Sequence, residues 1–453
     1  MTISTGAVSR DPSSSSPPAL AADASPAARR ALLACALGWL FDGYETYTLF
    51  LVGTVAIRDL VAPAELANVP LYFAGLVAMT LLGWATGGVS CGVFADYLGR
   101  RRTLMLSITL YAGFTGLSAL AQSYWMLLAF RFITGLGLGG EFAPGTTMVS
   151  ELWTPGRRGR AAGVLASAFG FGCLLASGVW LLVGGLGEGA WRIMFLLGVL
   201  PALLILWLRR SVKDPAIWRE ADQRRRAARQ AAGVGRQLSE DEQRLTRFTL
   251  ADLFASPDLR RRTLLLLVMS LATVVGYWGV STWVPQYAGQ VAVRAGSTAG
   301  GWDALAGVLY SVGGIAGYLV VGMLADLWGR KPTIGLFFAG SVLVAPAPFL
   351  IDDNLVLLMA ATAINGFFTL GQFAWMVVYL PEVYPTAVRA TGAALVFNSA
   401  RYLAAASPLV AGWVVESLGG IAHVAALMSV IYLLGLAATP FAAPETRGKP
   451  LPP

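Results

Sequence analysis

Long apolar runs recur along this 453-residue chain from Ala31 almost to its end, broken by short clusters of charged residues, proline and glycine. In the first half they fall near 31–57, 71–95, 103–121, 124–150, 160–184 and 190–208. In the second half they fall near 263–287, 302–325, 333–351, 354–380, 389–415 and 420–442. At a rise of about 1.5 Å per residue, about 20 residues of helix cross a hydrocarbon core roughly 30 Å thick. The pattern therefore predicts an all-α membrane protein with twelve transmembrane helices. A polar, basic interval at 209–262 divides them into two bundles of six, at 31–208 and 263–442. The stretch 1–30 is rich in Ser, Pro and Ala and holds no apolar run, so it reads as a disordered tail and not as a cleaved signal. Residues 443–453 read as a second tail.

Composition agrees with a lipid solvent. Hydrophobic residues make up 56% of the chain and charged residues 13%, against about 25% charged in an ordinary soluble domain. Basic residues set the orientation: with both termini in the cytosol, the tails and loops on that side hold 28 of the 33 Lys and Arg. The opposite placement would invert the positive-inside bias, so an inner-membrane protein with both ends cytoplasmic is expected. The net charge of +8 then follows from topology, and a nucleic-acid partner is not implied. The linker, with Arg224, Arg225 and Arg226, is expected to form short amphipathic helices against the anionic inner leaflet, or simply to tether the bundles. Cys35, Cys91 and Cys173 have no metal or disulfide spacing and read as packing residues. The expected partners are the bilayer and a small-molecule substrate, the expected state is a monomer, and no cofactor is implied beyond a coupling proton.

Two motifs repeat. Gly92-Val-Phe-Ala-Asp96-Tyr-Leu-Gly99-Arg100-Arg101-Arg102-Thr103 returns as Gly322-Met-Leu-Ala-Asp326-Leu-Trp-Gly329-Arg330-Lys331-Pro332-Thr333, 230 positions on. Glu151 with Arg158 returns as Glu382 with Arg389, 231 positions on. Nearly equal offsets argue that a six-helix unit was duplicated, with the substrate path between the halves. The motifs resemble those of the major facilitator superfamily over residues 31–449, which implies two pseudo-symmetric six-helix bundles. By that resemblance Gly92, Asp96, Gly99, Arg100, Arg101, Gly322, Asp326, Gly329, Arg330 and Lys331 latch the bundles on the cytosolic side. Glu151, Arg158, Glu382 and Arg389 are then partners in the same latch.

An ionised side chain in mid-bilayer costs at least roughly 2.5 kcal/mol, so each one needs a partner or a task. Asp42 and Glu45 in the first span, Arg131 and Glu141 in the fourth and Arg401 in the eleventh are such residues. Helical rise puts Asp42 about 18 Å from the cytosolic end and Arg131 about 10 Å from the other, and the two depths fill the core. The expectation is an Asp42–Arg131 ion pair with Arg401 at the same level in the opposite bundle. Phe41-Asp42-Gly43-Tyr44-Glu45 and Arg131-Phe-Ile-Thr-Gly135-Leu-Gly137-Leu-Gly139-Gly140-Glu141 resemble motifs of proton-coupled organic-acid symporters, the sialate, monocarboxylate and aromatic-acid groups, and more distantly of sugar porters. That resemblance implies that Asp42 and Glu45, with Arg131, form the proton-coupling set. A guanidinium fork suits a carboxylate, so Arg401 is the leading substrate ligand and Arg131 the second.

Tyr277, Trp278, Gln286, Tyr310, Asn365, Gln372, Trp375 and Asn398 are candidates to complete the pocket, each of them equally at home as a packing or interfacial residue. Gly135-x-Gly137-x-x-Gly140 matches a dinucleotide fingerprint, but it sits inside an apolar span with no strand before it, and helix packing explains it better. No catalytic triad, zinc spacing or phosphate loop occurs, so the chain is not expected to be an enzyme. The reading is a secondary active transporter, a proton-coupled symporter of a small organic acid. A sugar/proton symporter, a proton-driven exporter and a non-transporting nutrient sensor stay open as alternatives.

Overall fold

The computed structural model describes residues 25–452 except 188, 204, 206, 208–212, 281–282, 298, 407–416 and 418–420. The tail expected to be disordered lies, up to residue 24, outside the described residues. The first half is built from α1 (Pro26–Leu60), α2 (Val69–Leu98), α3 (Arg100–Ser118), α4 (Tyr124–Gly139), α5 (Phe142–Leu152), α6 (Arg158–Val183) and α7 (Ala190–Leu197). The linker forms α8 (Ala216–Gly233), α9 (Glu240–Thr246) and α10 (Thr249–Ala255). The second half is α11 (Pro257–Gly279), α12 (Val284–Arg294), α13 (Ala299–Leu327), α14 (Arg330–Val344), α15 (Leu355–Thr369), α16 (Ala374–Val383), α17 (Arg389–Ala404), α18 (Ile421–Ser429) and α19 (Ile431–Ala442).

Among the described residues, each of the twelve expected spans is mainly helix and no strand occurs. Eight helical runs among those residues are long and apolar enough to cross a membrane by themselves. The other four spans are those of α1, α3, α7 and α17. Asp42 and Glu45, Arg100 to Arg102, and Arg389 and Arg401 dilute three of them, and α7 and α17 run towards undescribed residues.

Several spans are interrupted among the described residues. The fourth breaks at Gly140 and Glu141 between α4 and α5, and the tenth breaks at a single turn, Gly371–Phe373, between α15 and α16. Glu141 and Gln372 are 231 positions apart, the offset that also relates Glu151 to Glu382, so the two breaks are equivalent under the repeat. The seventh span is broken between α11 and α12 and the twelfth between α18 and α19.

Glycine sets two features of this fold. Gly99 and Gly329 join α2 to α3 and α13 to α14 at φ of 99° and 110°, a region that a side chain would strain. Gly135 and Gly139 on α4 lie against the backbone of α2 at Thr80, Gly83, Trp84 and Gly88, where a Cβ has no room. The glycine-rich run is thus a helix-packing seam. Between the halves, α17 packs along α2 and α13 packs along α6.

Candidate functional site

Two charged layers lie between the halves. The first is at the face that bears both termini. Asp96, at the end of α2, accepts hydrogen bonds from the first turn of α17: Ala390 N at 3.3 Å, Thr391 N at 2.9 Å and Thr391 Oγ1 at 2.7 Å. Asp326, at the end of α13, accepts from Gly159 N at 3.0 Å and Arg160 N at 2.9 Å at the start of α6. Each aspartate caps a helix belonging to the other half, where free N–H groups and the helix dipole favour an anion.

Arginines tie this layer together. Arg100 bridges Asp96 at 3.0 Å and Glu151 at 2.9 Å, and Glu151 bridges Arg389 across the halves at 2.8 Å. Arg330 repeats the pattern with Asp326 at 3.3 Å and Glu382 at 2.7 Å. Arg158 turns to the carbonyls of Ser150 at 2.9 Å and Lys449 at 3.1 Å. Gly92 faces Ala394 and Gly322 faces Gly163, so the helices meet closely. One member, Lys331, departs from the expected cross-bundle role. Lys331 donates to Pro440 O at 2.7 Å within its own half, and the Arg101 N–H donates to Asp214 of the linker at 2.9 Å.

The linker is part of this layer, which corrects the expectation that it lies on lipid or merely tethers. Trp218 Nε1 and Arg225 on α8 both donate to Asp96 O, at 3.1 and 2.6 Å, and Arg225 also donates to Ala387 O at 2.7 Å. Burial pulls the Arg225 guanidinium below its ordinary value, opposed by Asp96 and Tyr97. Glu445 of the tail caps α14 by accepting from Arg330 N and Lys331 N at 2.9 Å each. Burial alone would raise its carboxyl, but the N–H groups of Arg330, Lys331, Arg447 and Thr446 hold it below the usual value.

The second layer lies mid-span. Arg131 pairs with Glu45, not with Asp42 as depth alone suggested. The same guanidinium donates to Ser118 at 3.0 Å, Thr134 at 3.0 Å and Thr115 at 3.3 Å, and lies 4.6 Å from the Phe195 ring. Glu45 stands about 4.5 Å further along α1 than Asp42, and its longer side chain reaches α4. Arg131 is thus held within one half, while it also lines the crevice beside Glu45, Trp84 and Trp278. Asp42 instead has Arg401 of α17 as its cationic neighbour, with Glu141 and Glu45 as like-charged ones.

Arg401 is buried between the halves. It donates to Phe397 O at 2.6 Å and lies over the rings of Phe397, at 4.2 Å, and Trp84, at 4.8 Å. Its Nε and Asp42 Oδ1 have no hydrogen-bond partner among the described residues. Phe397 stacks on Phe142 of α5 with centroids 3.5 Å apart, and Trp39 stacks on the other side of Phe142 at 5.9 Å. Asn398 lies against Gly88 and is 3.5 Å from Arg401.

Other expected pocket residues divide. Trp278 joins Glu45, Phe50, Trp84 and Arg131 around a narrow crevice. Tyr277 adjoins Trp278, Tyr310 and Phe373 at centroid distances of 5.3 to 6.5 Å. Gln372 is buried with both amide atoms unpartnered. Asn365 is spent on structure: its amide donates to Val344 O at 2.9 Å and Ala345 O at 3.1 Å, which satisfies the end of α14. Trp375 is spent likewise on Thr273 at 3.1 Å, joining α16 to α11. Gln286 is exposed on α12, beyond the break in its span.

Sequence reading missed Trp39, Trp84, Phe142 and Phe397 as neighbours of the charged set. Only their positions, one or two turns from Asp42, Gly88, Glu141 and Arg401, could have signalled them.

Comparison with known proteins places this architecture. The model of the family described as "Sugar (and other) transporter" matches residues 31–452. A putative metabolite transport protein of Haemophilus influenzae is 32% identical over 423 residues, covering 93% of this chain and 97% of that protein. The niacin transporter NiaP of Acinetobacter baylyi is 28% identical over 431 residues, covering 92% and 93%. Among solved structures, the proton:xylose symporter XylE bound to 6-bromo-6-deoxy-D-glucose superimposes with a TM-score of 0.74 at 22% identity, covering 95% of this chain and 98% of that one. With this fold, these spans and this match across nearly its whole length, the chain is a multi-pass membrane transporter, not an enzyme, and belongs to the sugar (and other) transporter family of the major facilitator superfamily.

Proposed function

We propose that the protein is a proton-coupled symporter that carries a small organic acid into the cell by alternating access, with both termini on the cytosolic side of the inner membrane. The observation that carries the reading is Arg401. A buried guanidinium that cannot shed its charge, left with an Nε unpartnered among the described residues and with Asp42 as a charged neighbour, is suited to receive a substrate carboxylate. A bound carboxylate would compete with Asp42 for Arg401, and an Asp42 deprived of that cation favours its protonated form. Substrate and proton would then load together. The relative that carries niacin, itself a carboxylic acid, supports this substrate class.

A sugar/proton symporter is the second reading. The unpartnered amide of Gln372 and the aromatic cluster of Tyr277, Trp278 and Tyr310 would suit a neutral hydroxylated ligand. Uptake of a labelled panel of carboxylates and sugars into proteoliposomes, with and without an inward proton gradient, separates the two. Gradient-driven carboxylate uptake abolished by Arg401→Ala is the expected result. Sugar uptake indifferent to that change would replace this reading with the second.

A further inference from the structure

Three carboxylates and two guanidinium groups share the mid-span layer. Asp42 and Glu45 stand on α1, Glu141 at the break between α4 and α5, Arg131 on α4 and Arg401 on α17. With every group ionised the layer carries one negative charge more than positive, in a setting where an uncompensated charge is costly. Arg131 is taken by Glu45, and Arg401 is the cation next to Asp42. Glu141 is left over. It is fully buried, and neither of its carboxylate oxygens has a hydrogen-bond partner among the described residues.

Its surroundings hold polar and titratable groups but no cation in contact. On α1 it packs against Gly38 and has Cys35 as a neighbour, with Asp42 one turn beyond. The hydroxyl of Tyr111 on α3 interacts with it, and Ser107 of α3 and Cys91 of α2 line the adjoining Gly140. Gly38, Asp42 and Glu45 mark successive turns of α1, so Glu141 lies about 6 Å nearer than Asp42 to the face that bears the termini. The repeat supplies an internal control. The equivalent break in the other half carries Gln372, so the same backbone interruption is built around a neutral amide of the same shape. A carboxyl is present only in the half that also holds Asp42 and Glu45.

We propose that Glu141 is a second proton-carrying carboxyl, which takes the coupling proton from Asp42 and releases it towards the face that bears the termini. The proton leaves a carboxyl oxygen of Asp42 and binds one of Glu141, and Asp42 becomes a carboxylate able to pair with Arg401 again. Glu141 then gives the proton to water as that face opens. The inference rests on the proton-coupled reading above for its role, but the titration of Glu141 can be tested without it.

Infrared difference spectroscopy of the full-length protein in liposomes, titrated across neutral pH with no ligand added, follows the protonated carboxyl band. Wild type is expected to show a titrating band that Glu141→Gln removes and Glu141→Asp keeps, displaced in pH. Identical titrations of wild type and Glu141→Gln would overturn the proposal. The second arm measures uptake of a labelled carboxylate panel. Glu141→Gln is expected to lose gradient-driven accumulation while gradient-free exchange of the same probe persists, a split that a packing role would not give. Full coupling in Glu141→Gln would overturn the proposal. A wild type that accumulates no carboxylate would instead sink the organic-acid reading and leave the infrared result to decide on Glu141.

Discussion

Glu151 and Arg389 meet at 2.8 Å across the two halves, whereas their counterparts under the repeat, Glu382 and Arg158, are served by the C-terminal tail. Thr446 donates to Glu382 at 2.6 Å, and the carbonyl of Lys449 accepts from Arg158 at 3.1 Å. A duplicated latch has become one direct ion pair and one strap.

The direct pair should control how often this face opens. Glu151 is the shared counter-charge of Arg100 and Arg389, both fully buried, so Glu151→Gln leaves positive charge uncompensated at roughly 3 to 5 kcal/mol. That penalty falls on the closed arrangement and is relieved when water enters. Ala162→Cys, made after replacing the three native cysteines by alanine, reports opening through its alkylation rate, because Ala162 lines the crevice beside Arg158, Val377 and Val378. Faster alkylation in Glu151→Gln is the expected outcome, and an unchanged rate would show that the pair does not hold the face shut.

Removal of residues 448–453 should produce a milder form of the same change. Arg158 loses Lys449 O, and Arg389 and Thr386 lose Pro452 O at 2.7 and 3.2 Å. These are charge-assisted contacts worth about 1.5 to 3 kcal/mol where an arginine donates. The truncated protein is expected to fold, to alkylate Ala162→Cys faster than wild type and slower than Glu151→Gln, and to show no added effect when Arg158→Lys is combined with it. Additive effects would mean that the tail acts elsewhere.

How far the chain could be read in advance follows from dimension. Span length and repeat offset are one-dimensional, so the helices and the paired acids Asp96 and Asp326 were legible. Depth is also one-dimensional, and it put Asp42, Arg131 and Arg401 near one level. Azimuth is not: Asp42 and Glu45 differ by less than a turn in depth but face different helices, and only the packed structure gives Arg131 to Glu45. Contacts to backbone carbonyls leave no trace in sequence at all. Arg225 was legible as a basic residue, but nothing in the chain said that it would join the carbonyls of Asp96 and Ala387.

The cap on α14 gives a pH-dependent prediction. Glu445 is held below its ordinary value in the folded protein, so the stability that it adds is present above the unfolded value, about 4.3, and is lost as pH falls through the folded one. Glu445→Ala should lower stability at neutral pH by roughly 1 kcal/mol, the usual worth of an N-terminal cap. Thermal unfolding in detergent at pH 7 and below pH 4 tests this. The difference between variant and wild type should shrink at the lower pH, and a constant difference would assign the loss to packing instead.

The two acids of α1 should separate stability from coupling. Glu45 neutralises an Arg131 that is buried and otherwise held by hydroxyl groups and the Phe195 ring, so Glu45→Gln strands that cation and should cost roughly 3 to 5 kcal/mol. Asp42 lacks a partner at Oδ1 and has no ion pair within 4.0 Å among the described residues, and Asp42→Asn changes its shape little, so stability should fall less than in Glu45→Gln. Transport should respond in the opposite order. Asp42→Asn should abolish accumulation driven by a proton gradient yet keep gradient-free exchange, whereas Glu45→Gln should lower the amount of folded protein and scale both rates together. Thermal unfolding beside paired uptake and exchange assays reads both axes at once. If Asp42→Asn proved the destabilised variant and Glu45→Gln the uncoupled one, the ion pair with Arg131 would be the coupling element and Asp42 a structural partner of Arg401.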